Sequence, residues 1–163
     1  MVHYSLMYTK DNPFYASIID RYSLCGEDSG KETLHITLDL SGSGIDYTVG
    51  DSVAIFPSND PVEVSYLLDQ LSSADTWAEC FIKEVEIGTP TRKLVKALIE
   101  RLGTAAPKAL TDVLKDSPSF KTYQASHTVT DTLKLVPEKT LSAEEVFPLL
   151  KPMMPRYYSI ASS

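Results

Sequence analysis

The residues whose chemistry is easiest to interpret lie near the end of the sequence, in the run Arg156-Tyr157-Tyr158-Ser159. The planar guanidinium of arginine matches two oxygens of a pyrophosphate. A tyrosine ring can stack on a flat heterocycle, and a serine hydroxyl can hydrogen-bond a ring nitrogen or carbonyl. In a strand, Arg156 and Tyr158 lie on one side and Tyr157 and Ser159 on the other. The run therefore suits a flat anionic ligand, and an ordinary amphipathic strand with a surface arginine is the alternative.

The composition limits the classes of protein to which the chain can belong. Its 163 residues are 43% hydrophobic and 23% charged, as in a soluble domain with a core. The net charge of −7 argues against nucleic acid as the main partner. The N-terminus lacks a signal-peptide pattern, and no stretch approaches the ~18 apolar residues of a membrane span. We therefore predict a cytoplasmic protein.

Metal and disulfide chemistry find no support in the sequence. Cys25 and Cys80 are the only cysteines, and they lack the spacing of zinc ligands or of a disulfide framework. Two reduced thiols and no metal site are predicted. His35 lies in a strand-like run, where a structural role is favoured. No Ser-His-Asp arrangement supports a hydrolase.

The first third of the sequence has the pattern of β-strands. Residues 14–24 are rich in aromatic and β-branched side chains, and residues 33–40 alternate with leucine or isoleucine at every second position. This alternation predicts a half-buried strand whose even-numbered residues share one face. The apolar run 52–56 predicts a third, buried strand that follows a turn at Gly50-Asp51.

The middle of the sequence has helical patterns. Four segments begin with residues typical of helix starts: Asp60-Pro61, Thr89-Pro90, Pro107 and the capping box at 142–145. We interpret Asn59 and Asp60 as the cap of the first helix, and expect Pro148 to shorten or kink the last one. A final strand is predicted over 157–160. This order predicts an α+β domain or a β-domain with a helical insertion.

Several stretches resemble one protein family. The ending Arg156-Tyr157-Tyr158-Ser159-Ile160-Ala161-Ser162-Ser163 resembles the flavin motif R-x-Y-S-I-A-S-S of the diflavin reductases, a branch of the ferredoxin–NADP reductase superfamily. Residues 50–61 are similar to the family's stretch G-D-x-x-x-x-x-P-x-N-D. Residues 149–156 resemble sulfite reductase flavoproteins especially. The resemblance covers residues 12–163.

The resemblance implies a fold and a division of the chain. The implied fold is of the α+β class: a partial antiparallel FAD-binding β-barrel, ferredoxin reductase-like, with an inserted helical connecting region. The first barrel strands would occupy 12–60, the helical connecting region 61–152, and a barrel strand with the R-x-Y-S motif 153–163.

The resemblance also implies roles in an FAD site. Arg156 would bind the FAD pyrophosphate, and Tyr158 would stack on the isoalloxazine ring. Ser159, the one catalytic candidate, would hydrogen-bond near the flavin N5 edge, and Tyr157 would add backbone contacts. Ser126 matches a position where some relatives touch FAD and others carry arginine.

The implied function is that of an NADPH-dependent flavoprotein reductase of the sulfite reductase flavoprotein type. Such a protein passes electrons from NADPH through FAD to an acceptor protein, such as flavodoxin, ferredoxin or a hemoprotein subunit. Lys31 aligns with a basic residue that contacts NADPH in relatives, and a solvated loop lysine is the alternative. The alternative function is a non-catalytic interaction module that docks an electron-transfer partner or a subunit.

Part of the family pattern is not found within these 163 residues. A second glycine-rich flavin motif, an FMN module and a nucleotide-binding domain are not among them, and about two barrel strands would be missing. We therefore expect a truncated domain that binds FAD weakly or not at all and is inactive alone. We also expect it to form a homodimer through the open barrel edge.

Overall fold

The computed structural model describes residues 8–9 and 12–160, which form a mixed structure of helices and short strands. The chain divides into two compact units. The first, here called the β-unit, contains the described residues up to Val53 together with 157–160. The second, here called the helical unit, is Ala54–Arg156.

Six short strands form three separate two-stranded sheets in this part of the chain. The strands are β1 (Ser17–Ser23), β2 (Leu34–Asp39), β3 (Ser52–Ile55), β4 (Val85–Glu86), β5 (Lys151–Pro152) and β6 (Arg156–Ser159). β1 pairs with β2 and β4 pairs with β5, both antiparallel, and β3 pairs with β6. The four predicted strands are confirmed as β1, β2, β3 and β6, whereas the partial barrel stays a prediction.

The β1–β2 hairpin is the larger sheet of the β-unit. Its register is irregular between Ile18 and Asp20. Tyr22 and His35 are paired across the two strands, and their rings stack with centroids 4.6 Å apart. The Nε2 atom of His35 also hydrogen-bonds the hydroxyl of Thr37 at 3.1 Å. These contacts agree with the structural role predicted for His35.

The β-unit buries little of its apolar surface. β2 is half-buried as predicted, although Ile36 remains 47% exposed. The predicted burial of β3 is wrong, because all four of its residues are exposed. A two-stranded sheet has no second layer over its faces, so an apolar sequence alone does not bury it. Other large apolar residues exposed in this unit are Tyr15, Ile18, Ile19, Tyr22, Leu24, Ile45, Tyr47, Val49, Val53, Tyr157 and Tyr158.

The helical unit contains seven α-helices among the described residues. They are α1 (Pro61–Asp69), α2 (Ala78–Lys83), α3 (Arg92–Leu102), α4 (Lys108–Val113), α5 (Ser117–Ser126), α6 (Val129–Leu133) and α7 (Ala143–Val146). Short 3-10 turns follow α3 at Gly103–Ala105 and α7 at Phe147–Leu149. Across the described ranges, every helix is too short or too polar to cross a membrane.

Side-chain caps begin most of these helices. Asp60 caps α1 as predicted, and Ser142 caps α7 through the predicted capping box with Glu145. α7 ends before Pro148, which lies in the following 3-10 turn, so the expected shortening is confirmed. α3 begins later than predicted because its cap is Thr91 rather than the preceding Thr-Pro pair.

Three helices lie outside the sequence prediction: α2, α5 and α6. Asp116 caps α5, and a capping box between Thr128 and Asp131 begins α6. Both signals are present in the sequence, but the helices are short and show little apolar periodicity. α2 has no side-chain cap at all and is recognisable mainly by its buried Phe81.

Asn59 has a different role from the one predicted. Instead of capping α1, its Nδ2 donates to the carbonyl oxygens of Phe81 and Val85, each at 2.6 Å. Its main-chain N–H donates to the carbonyl oxygen of Ile82 at 2.9 Å. These three carbonyls span the end of α2 and the start of β4. Asn59 therefore ties the segment before α1 to the α2–β4 turn.

The main hydrophobic core lies in the helical unit. The face predicted for α3 is confirmed, since Leu94, Val95 and Leu98 are all fully buried. Trp77 and Phe147 pack beside α2, with ring centroids 5.2 Å apart. Burial of one large apolar side chain contributes about 1.5–3 kcal/mol. The remaining core residues are Val64, Leu67, Leu71, Phe81, Val85, Ile87, Leu110, Phe120, Tyr123, Val129, Leu133, Val136, Leu141, Ala143, Val146 and Leu150.

Candidate functional site

The four residues chosen for their chemistry, Arg156, Tyr157, Tyr158 and Ser159, form strand β6. All four are exposed, and the two tyrosines retain 72% and 51% of their accessible surface. Within residues 8–9 and 12–160, no side-chain hydrogen bond, ion pair or ring contact engages any of the four. Both faces of the strand are therefore open, and a guanidinium, two rings and a hydroxyl are free to contact a ligand.

A turn before β3 holds the chain directly after Ser159. The N–H of Gly50 donates to the carbonyl oxygen of Ile160 at 3.0 Å. The N–H of Ile160 donates in turn to the carbonyl oxygen of Asp51 at 2.8 Å. Gly50 has a φ of +103°, which favours glycine. Asp51 Oδ2 accepts from the N–H of Thr48 at 2.9 Å and closes the turn. The predicted turn at Gly50-Asp51 is thus confirmed, and it is joined to the end of β6.

The segment leading to Arg156 is fixed within the helical unit. β5 pairs with β4, with Pro152 opposite Val85. The N–H of Met153 then donates to the carbonyl oxygen of Glu84 at 2.7 Å, and the Met153 side chain is buried. Arg156 therefore begins β6 directly after a segment held by main-chain hydrogen bonds and by burial.

Ser126, the other predicted FAD contact, is the last residue of α5. Its hydroxyl donates to the carbonyl oxygen of Thr122 at 3.1 Å and lies 2.9 Å from His127 Nδ1. The His127 ring stacks on Tyr123 at 4.1 Å between centroids, and burial raises the pKa of the Tyr123 hydroxyl. The Ser126 hydroxyl is thus engaged within its own helix end, and its contact with FAD stays a prediction.

Lys31 and the two cysteines lie apart from β6 in the sequence. Lys31 is in the exposed β1–β2 loop, where its N–H donates to the hydroxyl of Ser29 at 3.2 Å. Its predicted contact with NADPH stays a prediction. Both cysteines are free thiols. A hydrogen bond with Thr33 lowers the pKa of Cys25, and burial raises the pKa of Cys80. Among the described residues, no group of three His, Cys, Asp or Glu side chains could hold a metal ion.

The sequence prediction does not connect β6 with the turn that holds it. Gly50 and Ile160 are separated by the whole helical unit. Local periodicity and turn propensity report only on neighbouring residues, so they carry no signal for this pairing. The pairing adds Thr48 and Asp51 to the candidate site, a role that the sequence analysis does not assign to either residue.

Comparison with known proteins shows what the chain is similar to. The family model described as FAD binding domain matches residues 7–86. The sulfite reductase [NADPH] flavoprotein alpha-component of Aliivibrio fischeri is 32% identical over 170 residues, covering 96% of this chain and 27% of the relative. Those of Bacillus subtilis and Vibrio cholerae are 30% and 33% identical, and the alignments cover 28% and 26% of their lengths.

The alignments with these relatives extend beyond the segment matched by the family model. They cover 96% of the chain, whereas the family model ends in β4. The chain spans about a quarter of the length of these curated relatives. Residues 7–86 belong to the FAD binding domain family, and the chain as a whole is homologous to part of the sulfite reductase flavoprotein alpha-component.

Proposed function

We propose that this chain forms one side of the FAD site of an NADPH-dependent flavoprotein reductase. The observation that carries the proposal is the exposed, unengaged set of side chains on β6. Bound FAD would supply the redox chemistry, accepting electrons from NADPH and passing them to an acceptor protein. The protein's own residues would bind and orient it.

The proposed roles follow from the chemistry of each free side chain. The Arg156 guanidinium, which has five donors in a planar fork, binds the pyrophosphate. Tyr158 stacks on the isoalloxazine ring, and Tyr157 adds contacts from the neighbouring position. The Ser159 hydroxyl donates or accepts near the flavin N5 edge. Ser126 is a further FAD contact and Lys31 an NADPH contact in the same proposal.

A free donor set fits FAD better than it fits a structural role. An arginine or tyrosine that stabilises the fold through its side chain does so through an ion pair, a hydrogen bond or packing. None of the four residues of β6 has such a side-chain partner within the described part of the chain. The two rings also keep more than half of their surface accessible, which leaves room for a stacked heterocycle.

A titration of the 163-residue chain with FAD tests the proposal. We expect weak binding, seen as quenching of flavin fluorescence, and no NADPH-dependent reduction of ferricyanide by the chain alone. Tyr158→Ala should raise the dissociation constant about tenfold, because one aromatic stacking contact contributes roughly 1–3 kcal/mol. Tyr15→Ala is the control, since Tyr15 is also exposed, at 81% against 51% for Tyr158, and lies outside β6.

Two results would overturn parts of this proposal. Absence of quenching at about 1 mM FAD, where binding contributes only about 4 kcal/mol, refutes the flavin site in this chain. Equal affinities for the wild-type chain and Tyr158→Ala refute the role of β6. A tightly bound, stoichiometric flavin contradicts only the expectation of weak binding.

An interaction module is the second candidate function. Val62 and Tyr66 on α1 are 58% and 56% exposed, and their spacing of four residues puts them on one helical face. This apolar pair suits the docking of an electron-transfer partner or a subunit. The flavin titration separates the two functions, because docking through α1 requires no flavin.

A homodimer through the open sheet edges is the proposed assembly. Its support is the large number of apolar side chains exposed on the β-unit, together with sheets of only two strands, whose edges stay unpaired. Size-exclusion chromatography of the titrated sample measures this assembly. A monomeric elution volume at high protein concentration rules the dimer out.

A further inference from the structure

The turn that is hydrogen-bonded to the residue after β6 is itself closed by a carboxylate. Asp51 lies before β3, and its side chain does not reach toward a ligand but closes the turn on Thr48. We propose that Asp51 is a positioning residue, whose carboxylate holds β6 in place through Ile160. The effect of Asp51 on FAD binding rests on the proposed function. The positioning of β6 itself rests on hydrogen bonds whose stability can be measured without FAD.

The turn is closed by hydrogen bonds in both directions. The N–H of Asp51 donates to the carbonyl oxygen of Thr48 at 3.1 Å. In return, Asp51 Oδ2 accepts from the N–H of Thr48 at 2.9 Å and from its hydroxyl at 3.3 Å. A bond to an ionised acceptor is stronger than one between neutral groups. The carboxylate is therefore the strongest constraint on this turn that the described contacts provide.

The same turn presents two main-chain groups to the end of β6. Gly50 offers its N–H to the carbonyl oxygen of Ile160, and Asp51 offers its carbonyl oxygen to the N–H of Ile160, at 3.0 and 2.8 Å. Both groups point correctly only while Gly50 keeps its φ of +103°. Because Ile160 directly follows Ser159, a change in the turn reaches the proposed flavin residues through one peptide unit.

Besides its pairing with β3, β6 gains no restraint from side-chain burial in the β-unit. The strands β3 and β6 are exposed along their whole length. Register is weakly specified in strands that bury neither face, so hydrogen bonds and turns must fix it. Ordering of Tyr158 and Ser159 by the turn before the ligand arrives reduces the entropy lost on binding. The carboxylate of Asp51 thereby increases FAD affinity without contacting FAD.

Amide hydrogen exchange tests the positioning directly. Asp51→Ala should accelerate exchange of the Gly50 and Ile160 amides about tenfold, as expected for the loss of one charge-assisted hydrogen bond. Asp51→Asn should accelerate exchange less than Asp51→Ala does, because its side-chain carbonyl still accepts from Thr48 but carries no charge. Asp39→Ala is the matched control: Asp39 Oδ1 closes another turn of the β-unit by accepting from the N–H of Ser41 at 2.8 Å.

A second variant loosens the turn while keeping the carboxylate. Gly50→Ala places an L-residue at a φ of +103°, with no atom within 4 Å of the added Cβ. Its effect therefore comes from backbone strain and not from a clash. We expect the same acceleration at Ile160. Exchange across β1 and β2 shows whether Asp51→Ala unfolds the β-unit. If it does, Gly50→Ala serves as the test in its place.

FAD affinity and the absorbance spectrum of bound flavin give the functional readout. Asp51→Ala should raise the dissociation constant about fivefold to tenfold, and Asp51→Asn should restore it to within about twofold. Unchanged exchange at Gly50 and Ile160 in a folded Asp51→Ala overturns the inference, and unchanged exchange in Gly50→Ala does so if Asp51→Ala unfolds. So does faster exchange with an unchanged affinity and spectrum. If the wild-type chain binds no FAD, the proposed function fails, and the exchange rates alone decide whether Asp51 positions β6.

Discussion

Asn59 allows a quantitative test of how the helical unit is held together. Its Nδ2 donates two hydrogen bonds of 2.6 Å, to the carbonyl oxygens of Phe81 and Val85. Each such bond contributes about 1 kcal/mol net. Asn59→Ala should therefore lower the free energy of unfolding by about 2 kcal/mol. The half-buried position of Asn59 limits replacement of both bonds by water.

Asn59→Asp gives a sharper version of the same test. Aspartate has nearly the same shape, but its ionised carboxylate has no donor and faces two carbonyl oxygens. We expect a loss of about 3 kcal/mol at neutral pH, since a partly buried charge then lacks a partner. Asn12→Ala is the control, because Asn12 is exposed and takes part in its described hydrogen bonds only through its own main-chain atoms.

Urea denaturation followed by tryptophan fluorescence measures these losses. Trp77 is the only tryptophan in the sequence, and it packs 6.3 Å from Phe81 between ring centroids. Its emission therefore reports on the region that Asn59 stabilises. If Asn59→Asp unfolds at the same urea concentration as the wild-type chain, the two hydrogen bonds do not stabilise the helical unit. A loss in Asn12→Ala equal to that in Asn59→Ala also refutes the reasoning.

Two further predictions concern helix caps of the helical unit. Thr91→Val should lower the free energy of unfolding, measured in urea, by about 2 kcal/mol. The reason is that the buried hydroxyl of Thr91 donates to the Leu149 carbonyl oxygen at 2.6 Å and also caps α3. A loss equal to that in Thr91→Ser, which keeps a hydroxyl, contradicts the prediction. The N–H of Thr128 lowers the pKa of Asp131, so Asp131 stabilises the fold above the usual pKa of about 4, and this stabilisation is lost as the pH falls through the lower folded-state pKa. Asp131→Asn should therefore reduce the change in urea midpoint between about pH 6 and about pH 3, and an identical change in both proteins contradicts the prediction.

Helices with a cap and an apolar stripe could be predicted from the sequence. α1 and α7 begin at the predicted caps Asp60 and Ser142, and α3 buries its predicted face. Each of these signals lies within a few residues of its consequence. α2 escaped prediction because it has six residues and no side-chain cap. Asn59, which lies outside the helix, donates hydrogen bonds to the carbonyl oxygens at its C-terminal end.

Burial in the β-unit could not be predicted from the same kind of pattern. The apolar run of β3 is typical of a covered strand, yet each of its residues is exposed. Alternation and hydrophobicity indicate which side chains would favour burial, but not which other layer of the protein covers them. The covering layer is a property of tertiary structure, and the two-stranded sheets described for this chain do not provide it.

The residues proposed to bind flavin and the residues that stabilise the fold are different sets. The β6 side chains are exposed and have no described side-chain partner, so their replacement removes little from the folded protein. The Asn59 amide and the buried Thr91 hydroxyl each form hydrogen bonds with two main-chain groups. Asp51 belongs to neither set, because it is exposed and its side chain contacts only its own turn. A change of FAD affinity in Asp51→Ala, with unchanged amide exchange across β1 and β2, is therefore the signature of positioning rather than of general destabilisation of the β-unit.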